Sequence, residues 1–400
     1  MRRCVSAVLA ALACICLGFL HGSSRAQTSS TQTPAVSGAA AQFNFAGNAA
    51  EIPADFLGNV VFLPVSVNQS RPCYFVLDST ASVSSMDPHR AAELGLTASG
   101  AVLNLTGVDI PLATLPQQES PHFGSQIGRV YEGTLGNDFL QRVVVEIDYG
   151  RLTVRLYDPG VYKYSGTGKS LPLTFAGGVP ILQAEFTEPR GKVLGAGFVV
   201  NTALDASTVI SNRYAESHHL LRSHWKMIPT LDPDLDGAPG ALLGRSKGFA
   251  LGPYFVEDTL VIFSKTDFPA AADPRIAGEI GADMLRRFTV VLDYPHHRMI
   301  FQPNSHFTNE EEEDKSGIAL IAKGTALKTF EIVEVEPNTP AAAAGLEKGD
   351  IIAGIDDDAA ADLTLSEIRD LFSQIGHKYK LLIERNGQNK QVQLEMHRFL

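Results

Sequence analysis

An apolar run, Tyr74-Phe75-Val76-Leu77, ends in Asp78-Ser79-Thr80-Ala81-Ser82. A carboxylate at the end of such a run, flanked by hydroxyls, can take and return a proton when a second acid faces it. The other reactive groups fit their nominal chemistries poorly. His218-His219 and His296-His297 are adjacent pairs, which point apart on a strand and lack helical metal-ligand spacing, so they read as surface or loop histidines. Asp232-Pro233-Asp234-Leu235-Asp236-Gly237 begins like a calcium loop but has no distal Glu at the required spacing, and reads as a polar turn. Ser82, Ser84 and Ser85 have no nucleophile-elbow context. Cys4, Cys14 and Cys16 lie within residues 1–26, a segment that reads as a removable signal, which leaves Cys73 alone in the mature chain. An internal disulfide and a Cys-based metal site are thus both excluded, and Cys73 reads as a small buried residue at a strand start. No cofactor and no metal is expected.

The element around Asp78 is repeated. Thr134-Leu135-Gly136-Asn137-Asp138-Phe139-Leu140-Gln141-Arg142 leads into Val143–Ile147 and Asp148-Tyr149. Glu279-Ile280-Gly281-Ala282-Asp283-Met284-Leu285-Arg286-Arg287 leads into Phe288–Leu292 and Asp293-Tyr294 without a gap. Upstream, Gly197-Phe198-Val199-Val200-Asn201-Thr202-Ala203 matches the Asp78 segment. Residues 52–160 and 170–304 therefore read as two copies of one β unit. Short β-type runs at Val60–Val67, Tyr74–Leu77, Val143–Ile147 and Thr153–Tyr157, broken by Gly, Pro and Asn, agree with a body poor in helices. The recurring Asp-Tyr pairs suit strand ends better than catalysis.

An apolar strand ending in Asp and a hydroxyl residue, followed much later by an apolar-Gly pair before Asp-x-Leu, resembles the retropepsin-like aspartic peptidases. Two such units in tandem resemble their two-lobed members. The resemblance implies a mainly β fold in which two pepsin-like lobes form one bilobal unit. It also implies two carboxylates that share one proton and hold a water between them, because two like charges that close cannot both ionise. Asp78 matches the first catalytic Asp, and Ser79 keeps the bracing hydroxyl. Thr80 replaces the expected Gly, and its β-branch restricts that backbone. In the second unit Asn201 takes the Asp position, Thr202 keeps the hydroxyl and Ala203 replaces Gly. An amide cannot accept and return a proton, so Asn201 cannot be the second acid–base. Asp205 is the alternative second carboxylate, if the loop is shifted. Pairing of Asp78 with Asp78 of a second chain is set aside because the tandem unit fills that position.

The ends of the chain frame this core. Arg2 and Arg3, an apolar run Val5–Leu20 and small residues up to Ala26 make a secretory signal, giving an exported, periplasmic or secreted protein; an uncleaved anchor is the alternative. Loss of residues 1–26 takes the formal charge from −11 to −14, which argues against nucleic acid and anionic membranes as partners. Residues 27–50, rich in Ser, Thr, Gln, Ala and Asn, read as a flexible spacer. The acidic run Asn309–Asp314 marks a linker, taken as 305–314.

Beyond it, Val335-Glu336-Pro337-Asn338-Thr339-Pro340-Ala341-Ala342-Ala343-Ala344-Gly345-Leu346-Glu347-Lys348-Gly349-Asp350-Ile351-Ile352 resembles bacterial PDZ domains. Residues 315–400 are then a β-barrel-like sandwich with two helices, the second at Ser366–Ile375 with Ser366 as its cap and Ile368, Phe372 and Ile375 facing inward. The resemblance implies a peptide terminus held at Ser316-Gly317-Ile318 and added beside Ala319–Ala322. Gly317, Ile318, Ala319, Leu320, Ile368 and Phe372 would form that groove. Together these readings imply a monomeric pseudo-protease that binds peptides or protein C-termini. An active aspartic endopeptidase using Asp78, its PDZ domain presenting substrate, is the alternative; an envelope scaffold is a third.

Overall fold

The computed structural model describes residues 39–398, apart from 98, 120, 223–224, 233–237 and 310–313. The signal segment, most of the Asp232–Gly237 turn and the centre of the acidic run lie outside the described residues. The described residues belong to one compact unit. Among the described residues the strands form three sheets, of eight, fifteen and six strands. No helix among them is long and apolar enough to cross a membrane.

The fold is mainly β, and its organisation follows from the repeat. In the first copy the strand Cys73–Leu77 runs parallel to Gly133–Leu135, with Leu77 beside Leu135. In the second, Val193–Val200 runs parallel to Ile276–Ile280, with Val200 beside Ile280. The residue that ends each strand then donates its N–H to the apolar residue of the apolar-Gly pair: Asp78 to Leu135 O (3.0 Å) and Asn201 to Ile280 O (2.9 Å). Glycine is needed next because the chain crosses itself there. A Cβ on Gly136 would lie 2.7 Å from the Val83 carbonyl, and one on Gly281 would lie 2.1 Å from Ala206 O. Both positions exclude any side chain.

The two copies are joined by one sheet. Lys169–Ala176, Arg298–Pro303, Phe288–Asp293, Val144–Asp148, Thr153–Tyr157 and Ala50–Ile52 are neighbours in that order. At its centre Val145 pairs with Leu292, Glu146 with Val291 and Ile147 with Val290. Since Val145, Glu146 and Ile147 correspond to Val290, Val291 and Leu292 in the repeat, this pairing maps onto itself when the copies are exchanged. The pseudo-two-fold axis passes between Glu146 and Val291. The main core draws on both copies, with Leu77, Leu135, Val145, Val200, Ile280 and Val290 all buried in it.

Two expectations are corrected at the edges. The stretch assigned as a spacer contains paired strands: Gln42–Phe43 runs antiparallel to Val108–Thr114, and Ala50–Ile52 to Thr153–Tyr157. Polar composition concealed Phe43 and Phe45, whose rings meet edge to face and pack on the core. The last helix spans Leu365–Phe372, and its cap is Thr364, not Ser366. Thr364 and Glu367 form a reciprocal capping box, which outweighs a lone serine just inside the helix. Ile375 falls past the helix and is exposed.

Candidate functional site

Asp78 and Asn201 sit on two loops that lock together. Ser79 N–H donates to Thr202 Oγ1 (3.0 Å), and Thr202 N–H donates to Ser79 Oγ (3.0 Å). Each hydroxyl then donates across the interface to the strand beside it: Ser79 Oγ to Val200 O and Thr202 Oγ1 to Leu77 O, both at 2.6 Å. Both residues are fully buried. The four bonds obey the same pseudo-two-fold as the central sheet, so Asp78 and Asn201 flank the lock symmetrically.

Their side chains are set differently. Asp78 Oδ1 accepts from Thr80 N–H (2.8 Å), Thr80 Oγ1 (2.7 Å) and Ala81 N–H (3.2 Å). No donor among the described residues reaches Oδ2, which leaves that oxygen for a ligand. Thr80 and Ala203 keep negative φ, so neither loop adopts the left-handed turn that would need glycine. The Asn201 amide is held at both ends: Oδ1 accepts from Ala203 N–H (3.1 Å), while Nδ2 donates to Glu279 Oε2 (3.2 Å). A carboxylate only accepts and a backbone N–H only donates, so the amide has one permitted orientation. Asn201 can offer a hydrogen bond to a carbonyl oxygen, but it has no proton to transfer.

Glu279 was not among the sequence candidates. It is a buried acid in Ile276–Ile280, a strand buried at every position, and stands where the first copy has Thr134. A charge inside an otherwise apolar run, two residues before the repeat's Gly281, was the signal that could have found it.

Asp205 is directed elsewhere. Its carboxylate accepts from Asn59 Nδ2 (3.4 Å) and lies 3.8 Å from Arg369 Nη1. No bond among the described residues joins it to Asp78 or Asn201. Burial pushes its carboxyl up to about 7, opposed by the Arg369 charge and reinforced by Asp283, although a quarter of the side-chain surface (25%) stays exposed. A carboxyl whose folded value exceeds its unfolded one stabilises the fold at low pH and loses that contribution as pH rises through the folded value. The chain should therefore lose stability relative to Asp205→Asn as pH rises from about 4 to 7, with the difference level above that. Melting temperatures of both chains across this range check it, and a pH-independent difference would contradict it.

The other sequence candidates are structural. Ser84 Oγ donates to Asp138 Oδ1 (2.6 Å) and accepts from Gly136 N–H (3.0 Å), bracing the first crossing. Asp293 is fully buried and pairs with Arg298 and His296, both at 2.6 Å. No group of three or more metal-ligating side chains occurs among the described residues. Cys73 is a free, buried thiol.

The C-terminal sheet runs in the order Ile318–Lys323, Thr329–Val335, Ile351–Ile355, Lys378–Arg385, Gln388–Glu395, around its own apolar core. Gly345 ends the helix Pro340–Ala344 in the left-handed conformation, and Arg385 holds the buried Asp350 through both carboxylate oxygens (2.6 and 2.7 Å). Residues 307–396 match the family model for the PDZ domain. The C-terminal unit is a PDZ domain. Its match begins inside the stretch expected as a linker. No curated protein matches the chain. Among solved structures, the aspartic proteinase from Irpex lacteus aligns at 12% identity and TM-score 0.39, over 65% of this chain and 99% of that one. A photosystem II D1 C-terminal processing protease aligns at 22% identity and TM-score 0.20, over 22% of this chain and 23% of its own. At these TM-scores neither likeness assigns a function.

In the PDZ domain Ile318–Lys323 is the edge strand, and Leu365–Phe372 stands across from it. Of the residues expected to line a groove, Ile318, Leu320, Ile368 and Phe372 are buried in the domain's core, while Gly317 precedes the strand and Ala319 is half-buried on it.

Proposed function

We propose that this is an exported, retropepsin-like PDZ protein that binds peptides or unfolded segments and has lost, or nearly lost, aspartic peptidase turnover. The single observation that carries this reading is the interlock of Ser79 and Thr202, with a carboxylate on one side and a committed amide on the other. Asp78 Oδ2 can accept from a peptide N–H or a water, and Asn201 can donate to a peptide carbonyl. Holding a peptide needs no more than that. Cutting it needs a second group that delivers a proton to the developing oxyanion or leaving amine. Asn201 cannot do so, and Asp205 is turned to Asn59 and Arg369.

Export rests on the N-terminal segment, and the PDZ domain supplies the class of partner, since PDZ domains commonly bind peptide C-termini by strand addition. The test is whether an unfolded chain such as casein is bound and returned whole. Retention with intact masses supports the reading. Fragments that vanish with Asp78→Ala would replace it with the active endopeptidase.

A further inference from the structure

The PDZ groove is closed by this chain's own residues. Ile318, Leu320, Ile368 and Phe372 belong to the domain's own core, so what a peptide would meet is the loop and the strand edge. Strand addition needs backbone N–H groups for the carboxylate and a free strand edge beside them. Neither is free. Asp314 Oδ1 accepts from Ser316 N–H (2.7 Å) and Gly317 N–H (3.0 Å), while Ile318 N–H donates to Ser316 Oγ (3.2 Å). A side-chain carboxylate thus stands on the loop donors that a peptide's terminal carboxylate would use. Along the strand, the helix Pro121–Ile127 of the first lobe lies against Ile318–Lys323. Arg369 reaches from the facing helix and donates to Leu320 O (3.3 Å), taking one of the acceptors an added strand requires.

The first-lobe segment fits closely. Gly128, at φ +76°, lies against the start of the facing PDZ helix, and a Cβ there would be 2.7 Å from Leu365 Cβ. The same segment runs on through Glu132, whose carboxylate accepts from Tyr74 N–H (2.8 Å), into Gly133–Leu135. That strand pairs with the strand carrying Asp78. Beside it lies a cleft of about 340 Å³, lined in part by Ser85, Asp87, Tyr131 and Leu327.

We propose that the PDZ domain is autoinhibited: Asp314 and the helix Pro121–Ile127 occupy its groove, and a peptide with a free C-terminus must displace both. Peptide entry is then mechanically linked to the first lobe, because the displaced helix continues into the strand beside Asp78. The proposal rests on the peptide-binding reading above and adds its regulation.

Two independent releases test it in residues 27–400. Gly128→Asn tolerates the positive φ but drives a side chain into Leu365. Asp314→Ala frees the loop donors. Each is titrated with a fluorescein-labelled peptide pool, randomised over its last four positions, with either a free or an amidated C-terminus. Hydrogen exchange of residues 318–323 is followed in parallel. The expected result is about tenfold tighter binding of the free-carboxylate pool by each variant, as relief of a mostly closed state requires. Faster exchange in 318–323 for Gly128→Asn and little gain for the amidated pool should accompany it. Equal affinity of parent and both variants would overturn the autoinhibition and leave peptide binding standing. Absence of binding by all three would overturn the peptide-binding reading itself.

Discussion

If the proposed reading holds, Asn201→Asp should create acid-dependent peptidase activity that the parent chain lacks. The substitution is nearly isosteric, and the lock between Ser79 and Thr202 already places the new carboxylate opposite Asp78. A positioned acid–base pair accounts for about 10²- to 10⁴-fold in rate, so cleavage of a casein substrate should rise by that order over the parent. The gain will be limited by Glu279, which lies 3.2 Å from the atom that becomes a carboxylate oxygen. Two carboxylates that close share a proton, and a proton held between positions 201 and 279 is not available between 78 and 201. Replacing Glu279 by Thr, the residue at the equivalent Thr134, should therefore raise the activity of Asn201→Asp further, by about tenfold. Silence of both the single and the double variant, with folding intact, would show that the two loops do not frame a peptidase site.

The second large effect concerns stability. Ser79→Ala leaves Thr202 N–H and Val200 O without partners in a buried site, and Thr202→Ala does the same to Ser79 N–H and Leu77 O. Unsatisfied buried groups cost about 1–3 kcal/mol each, so either substitution should destabilise the lobes by about 2–6 kcal/mol. The two should also couple by about 1 kcal/mol in a double-mutant cycle, since each residue bonds the other's backbone. Trp225 is the one tryptophan in the chain and packs between Phe186 and Phe263 of the second copy. Its fluorescence in denaturant therefore follows lobe unfolding separately from the PDZ domain. Losses below about 0.5 kcal/mol, the range of neutral surface changes, would mean the lock carries little of the interface.

Much of this was readable from residue types in order. The gapless repeat around Gly136 and Gly281 announced two copies of one unit, because a chain crossing at under 3 Å admits glycine alone. The Asn at 201 was visible as a departure from the pattern, and its chemical consequence needed no coordinates. The PDZ signature was legible because its residues act locally: Thr339 caps a helix, Gly345 turns the chain, and Asp350 holds Arg385. What escaped was non-local. Nothing in the spacing of residues 121–128 says that they will lie against Ile318–Lys323, nearly two hundred residues on. Asp205 looked like a spare catalytic acid until Arg369 and Asn59 were found beside it. Phe43 and Phe45 were lost in a polar background, and Thr364 was passed over because the capping box has to be read as a pair with Glu367.

The most direct test sets holding against cutting. Purified residues 27–400, with Asp78→Ala and Asn201→Asp beside them, would be incubated with casein from about pH 3 to 8, the span in which a carboxylate dyad titrates. Bound and released material would then be weighed by mass spectrometry. Casein should be retained and intact with the parent and Asp78→Ala, and cut at acidic pH by Asn201→Asp alone. Fragments from the parent that disappear in Asp78→Ala would contradict this, and would make this chain a working aspartic peptidase with an amide in place of one acid.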